Sequence, residues 1–472
     1  MGMGNLKEKI SRKAWWTPRG WCNVLVLVFI VLTLLSLFII YPILQNYIKF
    51  DKKSTDTKDK NHQYQPLKPD KLPIDPDTPE DVLTRTTYDG EEYTLVFSDE
   101  FNKDGRTFLP GDDPYWEAVD LWYWPTMDME YYKPEQAFTK DGNLVLQMEN
   151  IKTGTLDYRS GMLQSWNKFC FQGGLLEVNV SMPFRADVSG LWPAAWALGN
   201  LGRAGYGAST DGMWPYTYDA CDLGVMVNQT NPSMSYLTGQ RLNKCVCKGD
   251  HPSPGKGRGA PEIDIFEGSG GMNGKPAQVS QSLQVAPFDF RYEADFSHAT
   301  LHNPKTEINK YLGGPFQQAL SGVTPLDPEW FDGKGYQTYA FQYTPGKSGK
   351  VAWFVGENPT WSLTADSVGP NDRSAISQRL IPEEPMYIIL NLGMATGFST
   401  VEIEKMEFPI AMYVDYVRLY QPKDQIAISC DTKEYPTREY ISKHEIAYTN
   451  NNLTRWSHAE FDFPDYSLDD KC

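Results

Sequence analysis

Basic residues are in short supply in this chain. Lys and Arg total 44 against 60 Asp and Glu, a net charge of −16 over 472 residues. Phosphate recognition needs a basic face, so no nucleic-acid partner is expected. Histidine is scarcer still, with six scattered residues and no zinc motif among them. No G-x-S-x-G elbow is present. "GMNGKP" fails as a phosphate loop, because residue 269 is Ser and Pro276 follows the lysine. Cys245-Val-Cys247 with His251 nearby fits no standard zinc spacing, so neither a metal nor a cofactor is expected. No internal repeat occurs, and no long helical periodicity stands out beyond about residue 90.

One further absence is informative. No charged side chain lies between Arg19 and Lys49. The core of that gap, "VLVLVFIVLTLLSLFIIY" at Val24–Tyr41, is long enough to cross a bilayer as a helix. Pro42 and bulky residues follow it, not the small residues of a cleavage site. The sequence therefore predicts a single uncleaved transmembrane signal anchor, in contact with lipid through Val24–Tyr41. Basic residues flank both ends, so Lys and Arg do not orient it. Six of the seven cysteines lie beyond the span: Cys170, Cys221, Cys245, Cys247, Cys430 and Cys472. An even set suits three disulfides. The sequons at Asn179, Asn228 and Asn452 lie on the same side. Together these features predict a type II membrane glycoprotein of the secretory pathway, with its large part lumenal or extracellular.

The organisation that follows is a cytosolic tail at 1–20, the anchor at 21–44 and a polar stem at 45–88. The stem is rich in Lys, Asp and Pro and cannot bury a core. From about 89 to 422, short runs such as "EYTLVFS", "GLLEVNVSMP" and "MYIILNLG" alternate with Gly, Pro, Asn and Asp clusters. "LLEVNVSM" alternates in polarity like a half-buried strand. "MYIILNL" is more continuously apolar, like a central one. Many short strands with frequent turns read as an all-β sandwich. Residues 423–472 have less strand character and are expected to wrap the domain, tied by a Cys430–Cys472 disulfide. Aromatic residues make up 13% of the chain, including 14 Trp and 27 Tyr; they suit sugar faces as well as a large core.

The strand-like stretch "APEIDIFEGSGG" at 260–271 carries Glu262, Asp264 and Glu267. Side chains alternate faces along a strand, so Glu262 and Asp264 share one. A regular strand would turn Glu267 away; one extra residue, a β-bulge, returns it. Ile263 and one of Ile265 or Phe266 then pack behind the sheet. Crowded carboxylates repel, so at least one should keep its proton near neutral pH, as a general acid must. Two carboxyls about a glycosidic bond are the usual means of hydrolysing it, with a separation of about 5–5.5 Å in retaining enzymes. Asp264 is placed to hold the attacking glutamate.

The stretch "EIDIFE" resembles the active-site strand of glycoside hydrolase family 16, in its laminarinase-like branch. "LVFSDEFN", "DGNLVLQME", "SGMLQSWNKFCFQGGLLEVNVSMP", "GLWPAAWALGN" and "MYVDYVRLYQ" follow the order of that family's landmarks, over roughly 95–421. "DPYWEAVDLWYWPTMDMEYYKPEQ", "YRSGMLQSWNKFCFQGG" and "WPAAWALGNLGRAGYGASTDGMWPYTYDACD" look like the fungal β-glucan synthesis-associated proteins. These resemblances imply a concanavalin-like jelly roll with a sugar-binding cleft on its concave face. They imply Glu262 as nucleophile, Asp264 as assisting residue and Glu267 as acid/base, with β-glucan as the ligand. Trp192 and Trp196 match the cleft element W-P-A-x-W, while Trp166 reads as core or rim. Hydrolytic members often carry a His on the strand after the acidic one. Here Gln281 and Gln284 stand in that stretch, as candidate substrate contacts, and His298 comes later. That departure leaves room for glycosyl transfer beside hydrolysis. A non-catalytic glucan-binding assembly factor and a scaffold for a synthase are the competing readings.

Overall fold

The computed structural model describes residues 25–26, 72–226, 238–286, 293–314, 317–470 and 472. The apolar run Val24–Tyr41 lies outside them apart from Leu25 and Val26, which are helical. No helix among the described residues is long and apolar enough to cross a membrane. The chain divides into two units, Met1–Asn61 and His62–Cys472. The second is built from two antiparallel sheets, as the strand patterning predicts.

The ten-stranded sheet runs from Thr84–Thr86 through Glu92–Asp99, Ile410–Pro422, Gly174–Ser181, Gln337–Thr344, Lys350–Val355 and Asn358–Thr364 to Ala299–Leu301. The hairpin Ala137–Lys140 with Asn143–Met148 joins it along Ile410–Pro422. The eight-stranded sheet is ordered Glu307–Ile308, Gln318–Pro325, Gln278–Val285, Glu262–Ser269, Leu191–Gly199, Met386–Met394, Met162–Gln164 and Glu117–Ala118.

The inner faces of the two sheets form one apolar core. Ala195, Ala197, Ile263, Leu283, Ile388 and Leu390 of the eight-stranded sheet face Leu176, Val178, Phe341, Trp353, Trp361 and Leu419 of the ten-stranded sheet. Trp353 and Trp361 stack with ring centres 4.4 Å apart. Gly322 lies so close beneath Trp361 that a Cβ there would stand 2.4 Å from the indole. "MYIILNL" is buried on both sides because the second face of its sheet is also covered. Tyr387 and Ile389, which alternate with the inner Ile388 and Leu390, join a second cluster with Trp196, Trp166, Tyr448 and Trp456.

That second cluster explains the C-terminal extension, which lies on the domain through short helices at Arg438–Lys443 and Glu445–Thr449. The expected Cys430–Cys472 bridge is not formed. Cys430 pairs with Cys170, Cys472 with Cys247, and Cys221 with Cys245. The reason lies in the sheet. Leu175 and Tyr420 are register partners, and Gln421 donates to the Gly173 carbonyl at 2.9 Å. Cys170 and Cys430 thus leave adjacent strand ends and meet. The extension is tied at both ends to the body and not to itself.

Candidate active site

The acidic strand carries the bulge that its spacing demands. Against Leu191–Gly199, Glu262 faces Leu198, Asp264 faces Trp196 and Glu267 faces Ala194, with a register shift between Ala195 and Trp196. Against Gln278–Val285 the shift falls between Asp264 and Glu267, which face Ser282 and Ser280. Ala194, Trp196 and Leu198 alternate on one face of a regular strand, so the three acids opposite them share that face. Ile263, Ile265 and Phe266 all pack into the core behind them. Both residues of the bulge are therefore buried, where the sequence reading allotted the core only one. Each such side chain contributes roughly 1.5–3 kcal/mol of burial, which offsets the cost of desolvating the acids in front.

Each carboxyl has its own donor. Trp214 Nε1 donates to Glu262 Oε2 at 2.6 Å. Gln284 Nε2 donates to Asp264 Oδ2 at 2.7 Å. Trp192 Nε1 donates to Glu267 Oε1 at 3.2 Å. Glu262 and Asp264 are also hydrogen-bonded to each other. Burial pushes Glu262 up to about 8; the Trp214 and Asp264 hydrogen bonds oppose that rise and the Glu267 charge adds to it. Burial, then the Glu262 charge, lifts Asp264 well above the carboxylate range. Burial, then the Asp264 charge, does the same to Glu267.

These directions assign the protons. Gln284 occupies one Asp264 oxygen as a donor, so a neutral Asp264 turns its O–H to Glu262. That bond favours an ionised Glu262 and a protonated Asp264. Glu262 has two groups stabilising its charge, whereas Glu267 has one indole. Glu262 is therefore the first of the three to ionise, and Glu267 keeps its proton longer.

Trp192 and Trp196 share the face of the acids, as their spacing predicts. The Trp192 ring stacks on Phe398 with centroids 4.2 Å apart, and both are half-buried. Trp196 is nearly buried, and its Nε1 donates to Asn391 Oδ1 at 2.8 Å. Gln284 sits with the acids, but Gln281 does not. Its side chain lies between the sheets, donating to the Ile265 and Phe354 carbonyls at 3.0 Å and accepting from Thr360 Oγ1 at 2.7 Å. The two glutamines are three apart on a regular strand and so face opposite ways. Gln281 is a fully buried brace, not a cleft residue. Trp166 is core: it is buried under Tyr448 and donates to the Asn200 carbonyl. His298 ends a short turn on the far sheet's edge strand, beside Asp295.

Sequence reasoning missed Trp214, Tyr123, Asn391 and Phe398. Tyr123 is half-buried near Glu262 and Asp264, and desolvation, then the Glu262 charge, raises its hydroxyl well above the usual range. It and Trp214 belong to aromatic runs, "LWYWPTMDMEYY" and "DGMWPY", whose composition gave no partner. Of the sequons, Asn179 lies within a central strand with its amide donating to Thr338 Oγ1 at 3.2 Å. Asn452 is exposed in a turn, and Asn228 lies outside the described residues.

Fold and site together define a two-sheet β-sandwich protein with an acid-and-indole cleft on one sheet. The chain belongs to the family of β-glucan synthesis-associated proteins. It matches the family described as "Beta-glucan synthesis-associated protein SKN1/KRE6/Sbg1" over residues 4–472. It is 47% identical over 407 residues to the Saccharomyces cerevisiae β-glucan synthesis-associated protein KRE6, covering 84% of this chain and 56% of that protein. It is 48% identical over 403 residues to the Candida albicans protein SKN1, covering 84% of this chain and 54% of that one. The chain thus spans about half the length of the curated relatives it matches. Among solved structures it is similar to an endo-1,3-β-glucanase catalytic domain from Thermotoga petrophila. That match has 21% identity and a TM-score of 0.45, covering 71% of this chain and 99% of that one. The Pyrococcus furiosus endo-β-1,3-glucanase matches at 18% identity and a TM-score of 0.44, covering 72% and 98%.

Proposed function

We propose that this protein is a β-glucan-active glycosidase or transglycosylase of the retaining type, working in cell-wall β-1,6-glucan synthesis. The observation that carries the reading is the unequal support of the outer carboxyls. Glu262 receives hydrogen bonds from Trp214 and Asp264, while burial holds the proton on Glu267. Ionised Glu262 attacks the anomeric carbon, and Glu267 gives its proton to the departing oxygen. A glycosyl–Glu262 ester results. Glu267, now a base, takes a proton from the incoming hydroxyl, which displaces Glu262. Water as that hydroxyl gives hydrolysis, and a second sugar gives transfer. Membership of a family named for β-glucan synthesis supports transfer to a growing glucan. So does the floor beside the acids, where Ser280 and Ser282 face Glu267 and Asp264 and no histidine is present on that strand to activate water. The protein is anchored through Val24–Tyr41 with the sandwich on the lumenal side, and Asn228 and Asn452 are its acceptors for glycans, with Asn179 less accessible than Asn452.

The test is to incubate the purified protein with defined β-1,3- and β-1,6-linked oligosaccharides and size the products. Longer products mark transfer, and shorter ones mark hydrolysis. Glu262→Gln and Glu267→Gln should each abolish both while glucan binding persists. If cell-wall function survives both substitutions, the protein is a glucan-binding assembly factor instead.

A further inference from the structure

The bulge of the acidic strand faces a second bulge across the core. Between Asp264 and Glu267, the two residues Ile265 and Phe266 stand opposite Gln281 alone. In the ten-stranded sheet, Trp353 pairs with Trp361 and Phe354 with Pro359, which leaves Thr360 as the extra residue of its strand. Gln281, Trp353 and Thr360 are all fully buried.

These three side chains join the two bulges. In a regular strand the carbonyls point along the sheet to a neighbouring strand. A bulge disrupts that ladder and kinks the strand, so a carbonyl there can meet a donor from the core. Trp353 Nε1, from the opposite sheet, donates to the Asp264 carbonyl at 2.8 Å. Gln281 Nε2 donates to the Ile265 carbonyl beside it and to the Phe354 carbonyl of the opposite sheet, both at 3.0 Å. Thr360 Oγ1 donates to Gln281 Oε1 at 2.7 Å and lies 3.0 Å from the Trp353 carbonyl. Every polar atom of the three side chains has a partner.

A buried amide is costly unless it is bonded, and the residues packed around this one are apolar. Trp361 stacks on Trp353, yet its own Nε1 makes no hydrogen bond among the described residues. The contact from indole to carbonyl therefore belongs to the bulge and not to the stack. Where the bulge sits decides which way Glu267 points. Side chains alternate along a strand, so a bulge moved beyond Glu267 would turn that acid into the core. Donors fixed on the Asp264 and Ile265 carbonyls hold the kink where Glu267 returns to the face of Glu262.

We infer that Trp353, Gln281 and Thr360 are positioning residues: from behind the sheet they hold Glu267 in register with Glu262, and so they set turnover and not glucan affinity. The inference rests on the glucan-active reading of this site. It gives the ten-stranded sheet, which carries none of the three acids, a part in the chemistry. Misplacing a reacting group by about 1 Å costs about 100-fold in rate, whereas none of the three side chains lies in the cleft to touch a sugar.

Two neighbouring indoles supply the test. Trp353→Phe keeps a ring in the stack and removes the N–H that holds Asp264. Trp361→Phe makes the same change in the facing ring, where no such bond is lost. Each is made in the full chain, and Tm, affinity for linear β-1,3- and β-1,6-linked oligosaccharides by calorimetry, and kcat and KM from sized products are measured. Trp353→Phe is expected to lower kcat about tenfold or more with affinity within about twofold of wild type, and Trp361→Phe to leave kcat within about twofold. Unchanged kcat in Trp353→Phe, equal losses in the two variants, or a loss carried by affinity overturns the inference and leaves the glucan reading standing. Wild-type protein that forms no product from any of these glucans overturns the catalytic reading and this inference with it. Gln281→Met keeps the volume and loses both amide donors, and it carries the same test should Trp353→Phe fail to fold. Unchanged kcat in that variant also overturns the inference.

Discussion

Replacing Glu262 by Gln should stabilise the protein, and more so as pH rises. Burial holds the Glu262 proton in the folded state up to about 8, against an ordinary value of 4.5 in the unfolded chain. Between those values the unfolded state binds fewer protons than the folded one. Stability from this group is therefore fully present below the lower value, falls with pH through the window and levels off above it. The slope is about 1.4 kcal/mol per pH unit. The full window would give about 5 kcal/mol; water at a half-buried cleft carboxyl reduces this, so about 2–5 kcal/mol is expected. For a chain of this length that is roughly 2–6 °C in Tm. A glutamine carries no charge to desolvate, and its oxygen can still accept the Trp214 N–H. Melting of the two proteins, followed by calorimetry from about pH 5 to about pH 9, should show curves that diverge, with the variant on top at high pH. Curves that stay parallel, or a variant that melts below wild type throughout, would refute the burial account of Glu262.

Three further outcomes follow from the same contacts. Gln281→Ala should cost about 2–4 kcal/mol of stability, since it empties a buried site and takes the Gln281 donor from the Ile265 and Phe354 carbonyls; glucan affinity of the folded fraction should not change, as denaturant melts and calorimetry will show. Non-reducing peptide mapping should recover Cys170 joined to Cys430 and Cys247 joined to Cys472, and Cys430→Ser should lose about 2–5 kcal/mol. Trp214→Phe removes a donor to a carboxylate, about 1.5–3 kcal/mol, so the Glu262 titration followed by NMR should move up by about 1–2 pH units.

Much of the site could be read from local spacing. Two residues from Glu262 to Asp264 and three to Glu267 already required a bulge, and the same alternation put Trp192 and Trp196 on one face. That rule also separates Gln281 from Gln284, three apart without a bulge. Grouping them as cleft residues ignored the strand's own period, and the core position of Gln281 follows from it. The Cys430–Cys472 expectation failed for another reason. Disulfide partners are set by which strands neighbour one another, and Cys170 and Cys430 are 260 residues apart. The contact of Glu130 with Met394 was equally hidden, since it spans 264 residues and nothing in "WPTMDMEYY" names that partner. Periodicity shows which way a side chain faces, but not which distant segment will cover it.

That distinction bears on the chemistry. An uncovered strand with three acids would be an ordinary acidic edge, with each carboxylate solvated and ionised. Here Tyr123 and Trp214 lie against Glu262, and Trp192 lies against Glu267. Burial is accordingly the leading cause of the rise at all three acids. Tyr123 belongs to the same stretch of chain that supplies Glu130 and Tyr132 to Met394 and Asn391. That aromatic segment strips water from the acids. Without that effect, neighbouring charges alone would separate the carboxyls only weakly in water. The acidic motif supplies the functional groups, and the distant aromatic cover raises the proton affinity of all three.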